Sequence, residues 1–155
     1  MNLARKQLIL GAAICGGVTA LGCLLPWVTH EGMMGAGPNF SGLSTSYGWI
    51  VFLAGIVAGA AALLVHLGKV GQLVKLTEVQ HVYVAVGCFA LACLVCLMQM
   101  SSSVYQTASV AGYTIGASRG LGLWLSLLGA IGGEAASFLA MRAAASAESP
   151  RVPGA

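Results

Sequence analysis

Aspartate is absent from this chain of 155 residues, and charge of either sign is scarce: lysine, arginine and glutamate together make up 7% of it. A soluble globular chain carries roughly a quarter charged residues, so this composition cannot clothe a water-facing surface. No basic run and no basic patch interleaved with aromatics occurs, so the net charge of +3 does not point to nucleic acid. The five cysteines (Cys15, Cys23, Cys88, Cys93 and Cys96) all fall inside apolar stretches. A disulfide framework needs loop cysteines, so none is expected, and the five read as small buried hydrophobes. Cys93 and Cys96 have the spacing of a redox pair, but on an apolar helix they lack the soluble context that gives the motif meaning.

Catalytic constellations are missing too. The sequence offers no nucleophile beside a base, no paired carboxylates, no phosphate-binding loop and no zinc spacing. Gly120-Leu121-Gly122 opens an apolar stretch rather than following a strand, so it is not a dinucleotide fingerprint. The chain is read as non-catalytic, with no cofactor.

What is present is apolar length: 58% of the residues are hydrophobic. A helix needs about 20 predominantly apolar residues to cross a bilayer, and four such stretches can be cut, about 8–28, 47–67, 82–100 and 121–141. The expected fold is an all-α, four-transmembrane-helix bundle over residues 1–143, followed by a disordered cytoplasmic tail, 144–155. Arg5 and Lys6 precede the first stretch as in a signal peptide, but its apolar run is longer than a signal core and no convincing cleavage site follows, so it is read as a retained helix.

Arg5, Lys6, Lys69, Lys75, Arg142 and Arg151 lie at the two ends and in the middle connection, whereas the two long connections hold only Arg119. Positive charge stays on the cytoplasmic side. Both termini are therefore expected in the cytoplasm, with residues 29–46 and 101–120 outside, in a bacterial inner membrane. Trp27, Trp49 and Trp124 fall at the outer helix ends, where an indole serves as an interface anchor with its N–H wet. Pro26 fits the close of the first helix. In the second outer segment, apolar and polar residues alternate around Ala111-Gly112-Tyr113, which predicts a short hairpin and, with the first segment, a small β cap.

Gly48, Gly55 and Gly59 return 74 positions later as Gly122, Gly129 and Gly133. A shift of 73 in the preceding helices pairs Cys15 with Cys88, Leu21 with Leu94 and Cys23 with Cys96, the pattern of a tandem two-helix repeat. In lipid, helices gain by close backbone approach, so the six glycines are candidate packing positions, within the bundle or against a neighbour.

Glu134 is the only carboxylate inside a span, and its repeat counterpart is Ala60. An intramembrane ionisable group costs about 2–3 kcal/mol even on a lenient scale and defaults to a functional hypothesis. It is a candidate to donate as a protonated acid, bind a cation or pair with a basic group of another subunit. The structural alternatives are a bond to Thr19 or a helix shifted so that the carboxyl reaches water. His66 and His81 flank the middle connection at helix ends and read as interfacial rather than as haem ligands. His30, Met33 and Met34 carry copper-compatible donors, but a single short cluster does not make a metal site, and none is expected.

Leu25-Pro26-Trp27, closing a Gly/Ala-rich first helix before a larger outer loop, resembles the claudin-like four-span membrane proteins. The resemblance implies an extracellular sheet built from the loops and lateral or cell-to-cell association. It covers topology and this one motif. The first loop lacks the family's Gly-Leu-Trp followed by a cysteine pair, and Gly122-Leu123-Trp124 opens the last helix instead. The expected partners are the lipid bilayer and other membrane subunits or further copies of this chain, with no nucleic acid. The function expected is that of an accessory subunit or self-assembling protomer. The alternatives are an oligomeric transporter or channel using Glu134, and a redox or quinone-linked subunit using the histidines.

Overall fold

Proline decides where the first helix stops. In the structure, a computed structural model that describes residues 3–32, 35–36, 39–70, 76–102, 107–110 and 113–148, helix α1 covers Leu3–Leu24 and strand β1 takes over at Pro26–Gly32. The apolar stretch was expected to stay helical to residue 28. Pro26 has no N–H to give and pushes the residue before it out of the helical region, so Trp27 and Val28 belong to the strand.

Two-residue strands β2 (Gly35–Ala36) and β3 (Phe40–Ser41) and a 3₁₀ turn (Gly42–Ser44) lead to α2, Ser46–His66. The Thr45 hydroxyl caps α2 by accepting the Gly48 N–H at 3.1 Å. The helix ends at Gly68, whose φ of +66° suits glycine. There Gly68 N–H donates to Val65 O and Lys69 N–H to Leu64 O, the paired bonds of a Schellman stop. Helix α3, Glu78–Met100, opens on a capping box between Thr77 and Gln80. Strands β4 (Thr107–Val110) and β5 (Tyr113–Arg119) follow, and α4 covers Leu121–Glu148. Residues 144–148, expected in the disordered tail, extend α4 instead, and the rest of that tail lies outside the described residues.

All four helices are long and apolar enough to cross a membrane. At 1.5 Å per residue, the 22 residues of α1 reach about 33 Å against a hydrocarbon core of about 30 Å. Helix α1 packs against α2 and α4, and α3 packs against the same two, so the helices form a four-cornered bundle in chain order.

The two long connections meet in one sheet at one end of the bundle, with β5 antiparallel to both β1 and β4. Val110 pairs with Tyr113 in the hairpin that the alternation predicts, and β2 and β3 lie along the free edge of β1. Thr29 pairs with Ser118, their hydroxyls 2.6 Å apart. Arg119 donates from Nε (3.1 Å) and Nη2 (2.6 Å) to Met100 O, fastening β5 to the end of α3. The one basic residue in the long connections thus sits where a helix C-terminus favours a cation.

Trp27 does not serve as a wet anchor. It is 1% exposed, its N–H donates to Gly22 O at 3.2 Å, and its ring lies under Gly42. The turn after Pro26 folds the indole back under the sheet, where a buried N–H needs a protein acceptor. Trp49 and Trp124 are 49% and 43% exposed.

Candidate functional site

Small residues set the spacing of the helices, and that spacing positions Glu134, the carboxylate in the middle of α4. A Cβ at Gly16 of α1 would lie 2.6 Å from Gly59 Cα and 2.7 Å from Gly55 O. Gly55 and Gly59 therefore meet α1 backbone to backbone. On the other side of α1, Gly122 lies against Gly22 and Leu25, and Gly129 against Thr19 and Cys15. Gly48 instead faces Gly42 in the turn that precedes α2. Between the two contact lines, the Thr19 hydroxyl donates to Cys15 O at 2.9 Å and the Ser126 hydroxyl to Thr19 O at 3.1 Å. The Cys23 thiol lies 3.6 Å from Ser126 Oγ, so the buried polar groups at this seam are bonded to one another.

Gly133 meets a ring rather than backbone: the place of its missing Cβ is taken by Phe89 of α3. Phe89 is the repeat counterpart of Gly16, as Gly133 is of Gly59. The same pair of positions thus joins α1 to α2 through bare backbone and α3 to α4 through an aromatic side chain. Cys23 and Cys96 are both fully buried, in keeping with that correspondence. It breaks at Leu53 and Leu127, one exposed and one buried. It breaks again where Gly42 and Ser44 form a 3₁₀ turn while Gly116 and Ser118 lie in β5.

With Gly133 turned onto Phe89, the next residue, Glu134, lines the seam between α3 and α4. A groove of about 590 Å³ runs there from Ala90 past Cys93, Leu94 and Leu97 to Ser101 and opens on the side of the bundle. Glu134 is half-buried, and its Oε2 is shielded without a hydrogen-bond partner among the described residues. The bond to Thr19 considered from sequence is not made, because that hydroxyl is spent on Cys15 O across the bundle core. The matching groove between α1 and α2, about 430 Å³, is lined by Gly16, Gly17, Gly59 and Ala60 and carries no charge. The two halves differ at the groove wall itself, Ala60 against Glu134.

The other sequence candidates lie apart from this groove. His66 Nδ1 is 3.3 Å from Lys6 O and His81 Nδ1 is 3.0 Å from Thr77 O. A carbonyl can only accept, so each ring donates from Nδ1. His81 also lines an apolar groove of about 320 Å³ between α2 and α3. Near the same end, Arg5 and Glu78 form an ion pair at 2.8 Å, not aligned as a hydrogen bond. His30 packs edge-on against Phe40, with ring centroids 5.5 Å apart, and the side chains of Met33 and Met34 lie outside the described residues. Among the described residues, no three His, Cys, Asp or Glu side chains converge as metal ligands.

Comparison with known protein families, curated proteins and solved structures finds no match. Gly16, Gly22 and Ser126, which build the central seam with Thr19, were not singled out from sequence, and Thr19 was named only as a bond partner for Glu134. The available signal was the row of small residues Ala12, Gly16, Thr19 and Cys23 at helical spacing on α1.

Proposed function

We propose that this chain is a non-catalytic integral membrane protein that works by association, as a subunit or accessory protein of a larger membrane assembly. The observation that carries this reading is the Glu134 groove. The buried seam between α1 and α4 uses its own polar groups, yet a carboxylate on the side of the bundle is left without a hydrogen-bond partner for Oε2 among the described residues. Lipid offers that carboxylate nothing, and a group of this kind is normally matched within a membrane assembly. Large apolar side chains such as Leu94, Leu97 and Met98 remain exposed around it. Native mass measured after mild detergent extraction is expected to exceed that of one chain. A clean monomer would count decisively against association.

In this reading the four helices cross a bacterial inner membrane with the sheet outside and both chain ends in the cytoplasm, because six of the seven basic residues then face inward. The claudin-like architecture fits that arrangement, with both long connections feeding one outer sheet. An impermeant thiol reagent is expected to label single cysteines at Ser44 and Ser102 from outside, and one at Gln72 only after the membrane is opened. The reverse pattern would invert the orientation.

A further inference from the structure

We infer that the groove between α3 and α4 receives one transmembrane helix of a different protein, carrying a lysine or arginine that pairs with Glu134. This deepens the association reading and rests on it. Glu134 lies 13 residues into α4, about 20 Å from the sheet end by the rise per residue and well inside a hydrocarbon core of about 30 Å. Its carboxyl has a shielded oxygen with no hydrogen-bond partner among the described residues, and an unpaired charge at that depth is costly. The complement is a cation delivered at the same depth on an apolar body.

A second copy cannot supply it. No lysine or arginine occurs between Lys6 and Lys69, between Lys75 and Arg119, or between Arg119 and Arg142. Two copies meeting here would bring carboxylate to carboxylate. The groove also has the shape for a helix: it follows α3 from Ala90 to its cap at Ser101, eleven steps of rise, or about 16 Å. Ala90 and Cys93 keep the wall low beside Glu134, while Leu94, Leu97 and Met98 stand out to grip an apolar stripe. The corresponding groove on the other hairpin has Ala60 in place of the carboxylate and supplies an internal control.

The test uses the full chain in phosphatidylcholine vesicles and a synthetic leucine-alanine transmembrane peptide bearing one lysine at the depth of Glu134. Binding is read by energy transfer from the protein's tryptophans to a fluorophore on the peptide. The lysine peptide is expected to bind at least about tenfold more tightly than its leucine counterpart. Glu134→Gln should erase the difference, while Ala60→Gln on the opposite groove should leave it intact. Equal binding of the two peptides, or a preference that survives Glu134→Gln, overturns the assignment. So does Glu134-dependent self-association, which would seat a second copy, or Glu134-dependent binding of tetraphenylphosphonium without binding of the peptide, which would make the groove a small-cation site. If native extracts hold only monomers, the association reading fails, whatever the peptide does. If they hold an assembly that Glu134→Gln leaves whole, association stands and the groove assignment falls.

Discussion

Gly16→Ala is expected to destabilise the bundle by about 3 kcal/mol, and Gly17→Ala, one residue further on, to leave its stability nearly unchanged. The added methyl at residue 16 would fall 2.6 Å from Gly59 Cα and 2.7 Å from both Gly55 O and Gly59 N. All three are backbone atoms of a regular helix, so no rotamer change relieves the clash, and α1 and α2 must part. Parting forfeits the close contacts on which helix association in lipid depends. Overpacking a rigid interior costs about 1–3 kcal/mol, more when backbone has to move, and the upper end applies here. At Gly17 nothing lies within 4 Å of a new Cβ. Unfolding by sodium dodecyl sulfate in mixed micelles, followed by far-ultraviolet circular dichroism, should separate the two variants widely. Coincident curves would remove the backbone-to-backbone contact from the account.

The second large effect is expected at Trp27. Truncating a fully buried aromatic to alanine costs about 3–5 kcal/mol, and here Gly22 O also loses one of its two donors, keeping only the Leu25 N–H. The indole stands at the junction of the bundle and the sheet. Around it, Gly120 N–H donates to Trp27 O at 2.8 Å and Gly42 N–H to Leu25 O at 3.3 Å. Trp27→Ala should therefore loosen the sheet before the helices, seen as faster proteolytic cutting between α1 and α2. Trp124→Ala, at a site 43% exposed, should shift stability by less than about 1 kcal/mol. Equal loss at both sites would mean that Trp27 is an ordinary interfacial residue.

The four helices were legible because apolar length is a coarse property that survives ignorance of packing. The β4–β5 hairpin was legible because alternation has a period that a helix cannot share. The ends were harder. Pro26 signalled a stop, but Trp27 and Val28 are as apolar as the helix before them, so hydropathy ran on to residue 28. Trp27 read as an anchor because its ring is covered by Gly42 and its backbone held by Gly120, 15 and 93 positions away in the chain. Nothing local distinguishes Gly16 from Gly17, since a helix that is apolar nearly all round carries little contrast between its faces. Glu134 was conspicuous by its chemistry alone. That it lines a groove beside Cys93 follows from the seating of Gly133 on Phe89, which only the folded chain reveals.

Helix α1 is bridged to the last helix by Ser126 and Thr19, 107 residues apart. A ribosome adding about 5–20 residues per second needs roughly 5–20 s to span that interval. Throughout that time the side of α1 that will receive α4 is still uncovered. Biogenesis of this protein therefore closes from its final helix backwards, and truncation anywhere before Ser126 leaves the earliest segment without half of its permanent surroundings.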